Sequence, residues 1–77
     1  MTKDERLLVE LFRAAQASGD LEGLINPQEI AKKLGYREVL IKNILKGLRQ
    51  ANFIKIYNSE EVVVTEQGRA LVDSLLN

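Results

Sequence analysis

The chain has no cysteine, no histidine and no tryptophan, and only a single proline. Without thiols there can be no disulfides, and without thiols and imidazoles the common zinc and transition-metal ligand sets disappear together with the commonest general base. Packing alone must hold the core. Long apolar runs are also missing: the longest aliphatic stretches are no longer than Val39-Leu40-Ile41 and Val62-Val63-Val64, against roughly 20 apolar residues for a membrane span. The opening residues Met1 to Arg6 are charged and lead into no secretory apolar segment, so a cytoplasmic location is expected. No residue pattern points to a cofactor, a metal or a small-molecule ligand, and no membrane association is expected.

What is present is the composition of an ordinary folded domain, with 45% hydrophobic and 29% charged residues in 77 positions. A chain of this size buries only about 60 to 65% of its unfolded surface, which allows one core and hence a single domain over residues 1–77. The formal net charge is zero, yet the charges are segregated along the chain. Residues 1–30 carry three basic side chains against six acidic ones, and residues 58–77 carry one against four. Between them, Lys32, Lys33, Arg37, Lys42, Lys46, Arg49 and Lys55 face Glu38 alone. A neutral total therefore does not exclude a polyanionic partner.

Local signals divide the chain into six elements. Thr2 and Glu5 stand at capping-box spacing, Leu7, Leu8, Leu11, Phe12 and Ala15 recur on one helical face, and Gly19 suits a left-handed end, which predicts a helix over about 3–18. Leu24-Ile25 leaves room for a brief extended pair. Asn26, Pro27 and Glu29 form a strong helix start; Ile30, Ala31 and Leu34 supply the buried face, and Gly35 stops that helix after about two turns. In the next segment Ile41, Ile44, Leu45 and Leu48 cluster within about 100° of a helical wheel, and Asn52 can end the helix in the left-handed region. Phe53 to Tyr57 and Glu61 to Thr65 are β-prone runs around the turn cluster Asn58-Ser59-Glu60, which predicts a hairpin. Thr65 then caps a last helix whose Leu71, Val72, Leu75 and Leu76 span an arc of about 140°. There is no internal repeat, low-complexity tract or interdomain linker.

This order resembles the winged helix-turn-helix family of bacterial and archaeal transcription regulators, and the resemblance covers nearly the whole chain. Gln28-Glu29-Ile30-Ala31-Lys32-Lys33-Leu34-Gly35 is similar to the first helix of the motif, and Ile41, Leu45 and Leu48 resemble the buried positions of its recognition helix. Gln50-Ala51-Asn52-Phe53-Ile54 resembles the usual passage into the wing, and Thr65-Glu66-Gln67-Gly68 resembles the lead-in to the last helix. The resemblance implies a mainly α fold of the α+β kind, with a three-helix core, a C-terminal β-hairpin wing and a fourth short helix. The sequence departs from the family pattern in three places. Arg37-Glu38 stands where a small hydroxyl usually opens the recognition helix, with Val39-Leu40 following where polar residues are more typical. The wing tip carries Glu60 and Glu61, and Asn52 replaces a glycine.

On the helical wheel Val39, Asn43, Lys46 and Gln50 lie opposite the core face of the third helix, with Lys42 and Arg49 on one flank. Such a helix fits the major groove, where asparagine pairs with adenine and lysine with guanine or phosphate. The expected function is a small DNA-binding transcription regulator reading double-stranded DNA, with Arg37, Val39, Lys42, Asn43 and Lys46 toward the groove. Lys32, Lys33 and Lys55 are expected on phosphates, where they fix position without reading sequence. The alternative is a protein-protein interaction module of a larger assembly that uses the Val39-Leu40 surface or the last helix without binding DNA; Leu40 has the further reading of packing on the second helix. Val72 and Leu76 are expected either to form a homodimer contact or to rest on the first helix. No pairing of a nucleophile with a base and no glycine-rich phosphate loop is visible, so an enzyme is not expected.

Overall fold

A computed structural model describes residues 1–77, which form four helices and a two-stranded antiparallel sheet. Helix α1 (Lys3–Ser18) starts at a complete capping box: Glu5 N–H donates to Thr2 Oγ1 at 3.1 Å, and Thr2 N–H donates to Glu5 Oε1 at 2.8 Å. The reciprocal bonds satisfy two amides that the first helical turn otherwise leaves unpaired. Leu7, Leu8, Leu11 and Ala15 are fully buried, as the periodicity predicts, and Phe12 lies half-buried beside them. Val9 is buried as well, although it points away from Leu7 and Leu11 on the helix. Helix α1 packs against α2 (Pro27–Leu34), α3 (Glu38–Gln50), the second strand and α4 (Glu66–Leu76), so it is covered on more than one side.

Helix α2 is capped by Asn26, whose Oδ1 accepts from Gln28 N–H at 2.9 Å, and Pro27 occupies the first helical position, where no amide is missed. It ends at Gly35 with φ 71°, and Tyr36 N–H closes back onto the Ala31 carbonyl at 3.1 Å. The left-handed residue is what lets the chain reverse within Gly35-Tyr36-Arg37 and start α3. On α3, Ile41, Ile44 and Leu48 are buried, and Leu45 and Leu40 are half-buried against the same core. Asn52 ends the helix with φ 64°, and Phe53 N–H bonds the Leu48 carbonyl at 2.9 Å, so asparagine does here what glycine usually does.

Strands β1 (Ile54–Tyr57) and β2 (Glu61–Val64) pair antiparallel in the register Ile54 to Val64 and Tyr57 to Glu61. Alternation turns Ile54, Ile56, Val62 and Val64 toward the core and Lys55, Tyr57, Glu61 and Val63 away from it. Of the expected Leu24-Ile25 extended pair only Ile25 takes part: it exchanges two backbone bonds with Val62, at 2.8 and 2.9 Å, on the free side of β2. The turn places Asn58 and Ser59 at φ 54° and 59°.

Helix α4 is fastened at its start. Thr65 Oγ1 accepts from Gly68 N–H at 3.0 Å and donates to the Asn52 carbonyl at 2.6 Å, while Thr65 N–H bonds the Phe53 carbonyl at 3.0 Å. Val72 is fully buried, Leu71 and Leu75 are packed against the core, and only Leu76 stays 46% exposed. The reading in which Val72 rests inside its own fold is therefore the one observed, and Val72 has no surface left to offer a second copy. The wide apolar arc fits a helix that packs on both α1 and β2. No helix is long and apolar enough to cross a membrane.

Candidate nucleic-acid interface

Burial of Ile41, Ile44 and Leu48 fixes the rotation of α3 about its axis, and that rotation decides what the helix shows to solvent. Val39, Asn43, Lys46 and Gln50 all stand exposed on the far side, with Lys42 and Arg49 exposed on one flank. Arg37 occupies the N-cap and makes no side-chain capping bond, so its guanidinium is left to solvent. On α2, Lys32 and Lys33 are exposed in the last turn, where they also complement the negative end of the helix dipole.

Of the cations in the middle third only Lys42 is engaged in an ion pair, with Glu38 at 3.5 Å. Both side chains are about 70% exposed, so water screens the pair and its contribution is small. Glu38 and Lys42 are four residues apart on one helix, a spacing at which the pair was legible in the sequence. The remaining pairs, Arg6 with Glu10 and Arg13 with Glu10, lie on α1. Lys3 sits 6.0 Å from the centre of the Tyr36 ring, which joins the start of α1 to the α2–α3 turn.

Two grooves border the hairpin, one on each side. The inner one, about 450 Å³, runs between the start of α2, the Lys42 and Leu45 flank of α3, and Ile56, Ser59 and Glu60 of the hairpin. The outer one, about 580 Å³, lies over Lys55, Tyr57 and Val63 and is edged by Leu24, Glu66 and Arg69. Lys42 and Lys55 thus stand on opposite faces of the hairpin, and Lys55 does not join the α3 cations. Strand alternation is the reason, since Ile54 and Ile56 take the inner face. The outer groove instead sets Lys55 beside Arg69, whose Nη1 donates to the Val64 carbonyl at 3.3 Å and which no local sequence signal marks. Carboxylates also reach the margins of α3. Glu60 shares the inner groove with Lys42, and Asp4 borders the other flank, where its Oδ2 lies 3.9 Å from the point a Cβ at Gly47 would occupy.

The outward face of α3 therefore offers an aliphatic group, two amides and a cation on a convex surface, which are means of hydrogen bonding and charge attraction. No group of three or more acidic, histidine or cysteine side chains is gathered closely enough to hold a metal ion. No protein-family model, curated protein or solved structure matches the chain.

Proposed function

We propose that this protein is a winged helix-turn-helix domain that binds double-stranded DNA with α3 in the major groove and acts as a transcription regulator. The arrangement supports this reading at the level of parts: α2 and α3 are packed together across a three-residue turn containing Gly35, a hairpin follows α3, and α4 returns onto α1. The observation that carries it is the outward face of α3 with its neighbours. Lys46, Arg49, Arg37, Lys32 and Lys33 are all exposed and none is held by a carboxylate. Phosphates attract such free cations, and the released counterions supply most of the binding energy at low salt. Because Lys55 lies on the outer face of the hairpin and the tip carries Glu60, the wing contributes little to that surface.

Titration of a labelled duplex at two salt concentrations tests the proposal. Binding is expected at about 50 mM salt and is expected to fall steeply toward about 200 mM, with a log-log slope close to the number of phosphates neutralised. A flat titration at the lower salt rejects it.

A second reading, an interaction module without DNA binding, is favoured by one observation: the outer groove presents the 52% exposed Leu24 and the 45% exposed Tyr57 side by side with Val63. Aromatic and aliphatic groups ringed by charges are typical of protein contacts. This reading predicts the flat titration.

A further inference from the structure

The middle of the outward face of α3 is aliphatic. Val39 is 71% exposed, more than any other large apolar side chain in the molecule. A lone exposed valine is ordinary, but its neighbours make this one informative. Val39, Asn43, Lys46 and Gln50 fall within an arc of about 60° on the helix, so they form one stripe along it. The stripe is about 16 Å long, the span of roughly 5 base pairs. No acid lies within it, since Glu38 is turned to the flank and paired with Lys42. Nor is there an apolar patch for a protein to cover: Leu40, next in the chain, is packed against the core, which leaves Val39 alone between amides and a cation.

One aliphatic group beside a carboxamide, flanked by free cations, is the complement of an A·T pair in the major groove. There the thymine 5-methyl is the only apolar group on the floor, and adenine N7 and N6 offer an acceptor and a donor to one amide. We infer that Val39 and Asn43 act together as the sequence-reading residues, Val39 packing on a thymine methyl while the Asn43 carboxamide pairs with adenine, and Lys46 serving the neighbouring base or phosphate. This inference rests on the DNA-binding reading above, and it names the sequence class that reading leaves open.

Three duplexes of equal length test it by fluorescence anisotropy at about 50 mM salt: alternating dA·dT, the same duplex with uracil replacing every thymine, and alternating dG·dC. Uracil differs from thymine by the methyl group alone. The wild-type protein is expected to bind the thymine duplex about fourfold more tightly than the uracil duplex, the worth of one buried methyl-sized group. In Val39→Ala that difference is expected to vanish, and in Asn43→Ala the preference for dA·dT over dG·dC is expected to drop by about tenfold. Both positions are exposed, so circular dichroism should show both variants folded. Equal affinity for thymine and uracil duplexes, or a methyl preference that survives in Val39→Ala, overturns this inference and leaves DNA binding standing. Failure to bind any of the three overturns the DNA reading and this inference with it.

Discussion

At Gly68 the backbone of α4 comes so close to the lead-in to β1 that a side chain has no place: a Cβ there would lie 2.2 Å from the Phe53 carbonyl oxygen and 2.9 Å from Val64 Cγ1. The obstacle is backbone that is itself bonded to Thr65, so it cannot move aside without breaking the cap. Gly68→Ala is accordingly predicted to destabilise the fold by about 2 to 3 kcal/mol, read as a lower urea midpoint with unchanged slope. The sequence showed that a glycine stands three residues after Thr65; it did not show the carbonyl that demands it. Ser59 poses the opposite case. It holds φ 59° in the hairpin turn beside Asn58, without being itself the glycine or asparagine that such a position favours, and the conformation costs an ordinary residue about 1 to 2 kcal/mol. Ser59→Gly should raise stability by about 0.5 kcal/mol after the greater freedom of glycine in the unfolded chain is subtracted, visible as a higher thermal midpoint. An unchanged or lower midpoint would show that the turn is not strained.

Among the elements, α1 was the most legible and also the one whose surroundings were least so. Its bounds, its capping box and four of its buried residues follow from signals within a turn or two of each other. Its burial of Val9 does not, because that depends on elements packed on a second side of the helix, which come from farther along the chain. The cap has a measurable consequence. Hydrogen bonding from the Thr2 backbone amide first, and from the Thr2 side chain second, lowers the pKa of Glu5 below its ordinary 4.5. A carboxylate whose pKa is lower in the folded state stabilises the fold above its unfolded pKa and loses that contribution as pH falls through the folded value. The stability advantage of the native protein over Glu5→Gln should therefore be constant at neutral pH, shrink once pH drops below the ordinary glutamate range, and vanish in stronger acid. Thermal melts of both proteins across that range measure it; a gap that widens on acidification contradicts the cap. Helix α3 shows a different limit. The orientation of its core face was plain from Ile41, Ile44 and Leu48, whereas the Glu38 to Lys42 pair went unread although its spacing was in view.

For the molecule as a whole, segregation of charge along the chain turns out to be only partly segregation in space. Lys46, Arg49 and Arg37 do share the neighbourhood of α3, but Lys55 is sent to the outer side of the hairpin, while Asp4 and Glu60 are brought to the borders of α3 from the two acidic ends. The proposed DNA surface is thus narrower than the run of seven bases suggests, and it depends heavily on Lys46. Lys46→Glu is predicted to leave stability within about 0.5 kcal/mol of the native protein, because the side chain is exposed and unpaired. Duplex binding at low salt should weaken by about tenfold or more, with the salt slope reduced by about 1. Loss of binding together with loss of the melting transition would mean that the residue supports the fold; undiminished binding would remove α3 from the interface. Lys55→Glu is the matching control, expected to alter binding far less since the hairpin separates it from Lys42.

What the sequence determined by itself was everything decided between residues a few positions apart: the helix starts at Thr2, Asn26 and Thr65, the left-handed ends at Gly19, Gly35 and Asn52, the hairpin, and which side of α3 faces inward. Such features rest on hydrogen bonds and steric limits within a turn, which the local residues specify in full. Tertiary structure alone decided that Val9 and Val72 are interior, that Gly68 must be bare, and which charges become neighbours. Those outcomes depend on how far the chain travels before it comes back, and packing of the assembled elements sets that return, not any short stretch within them.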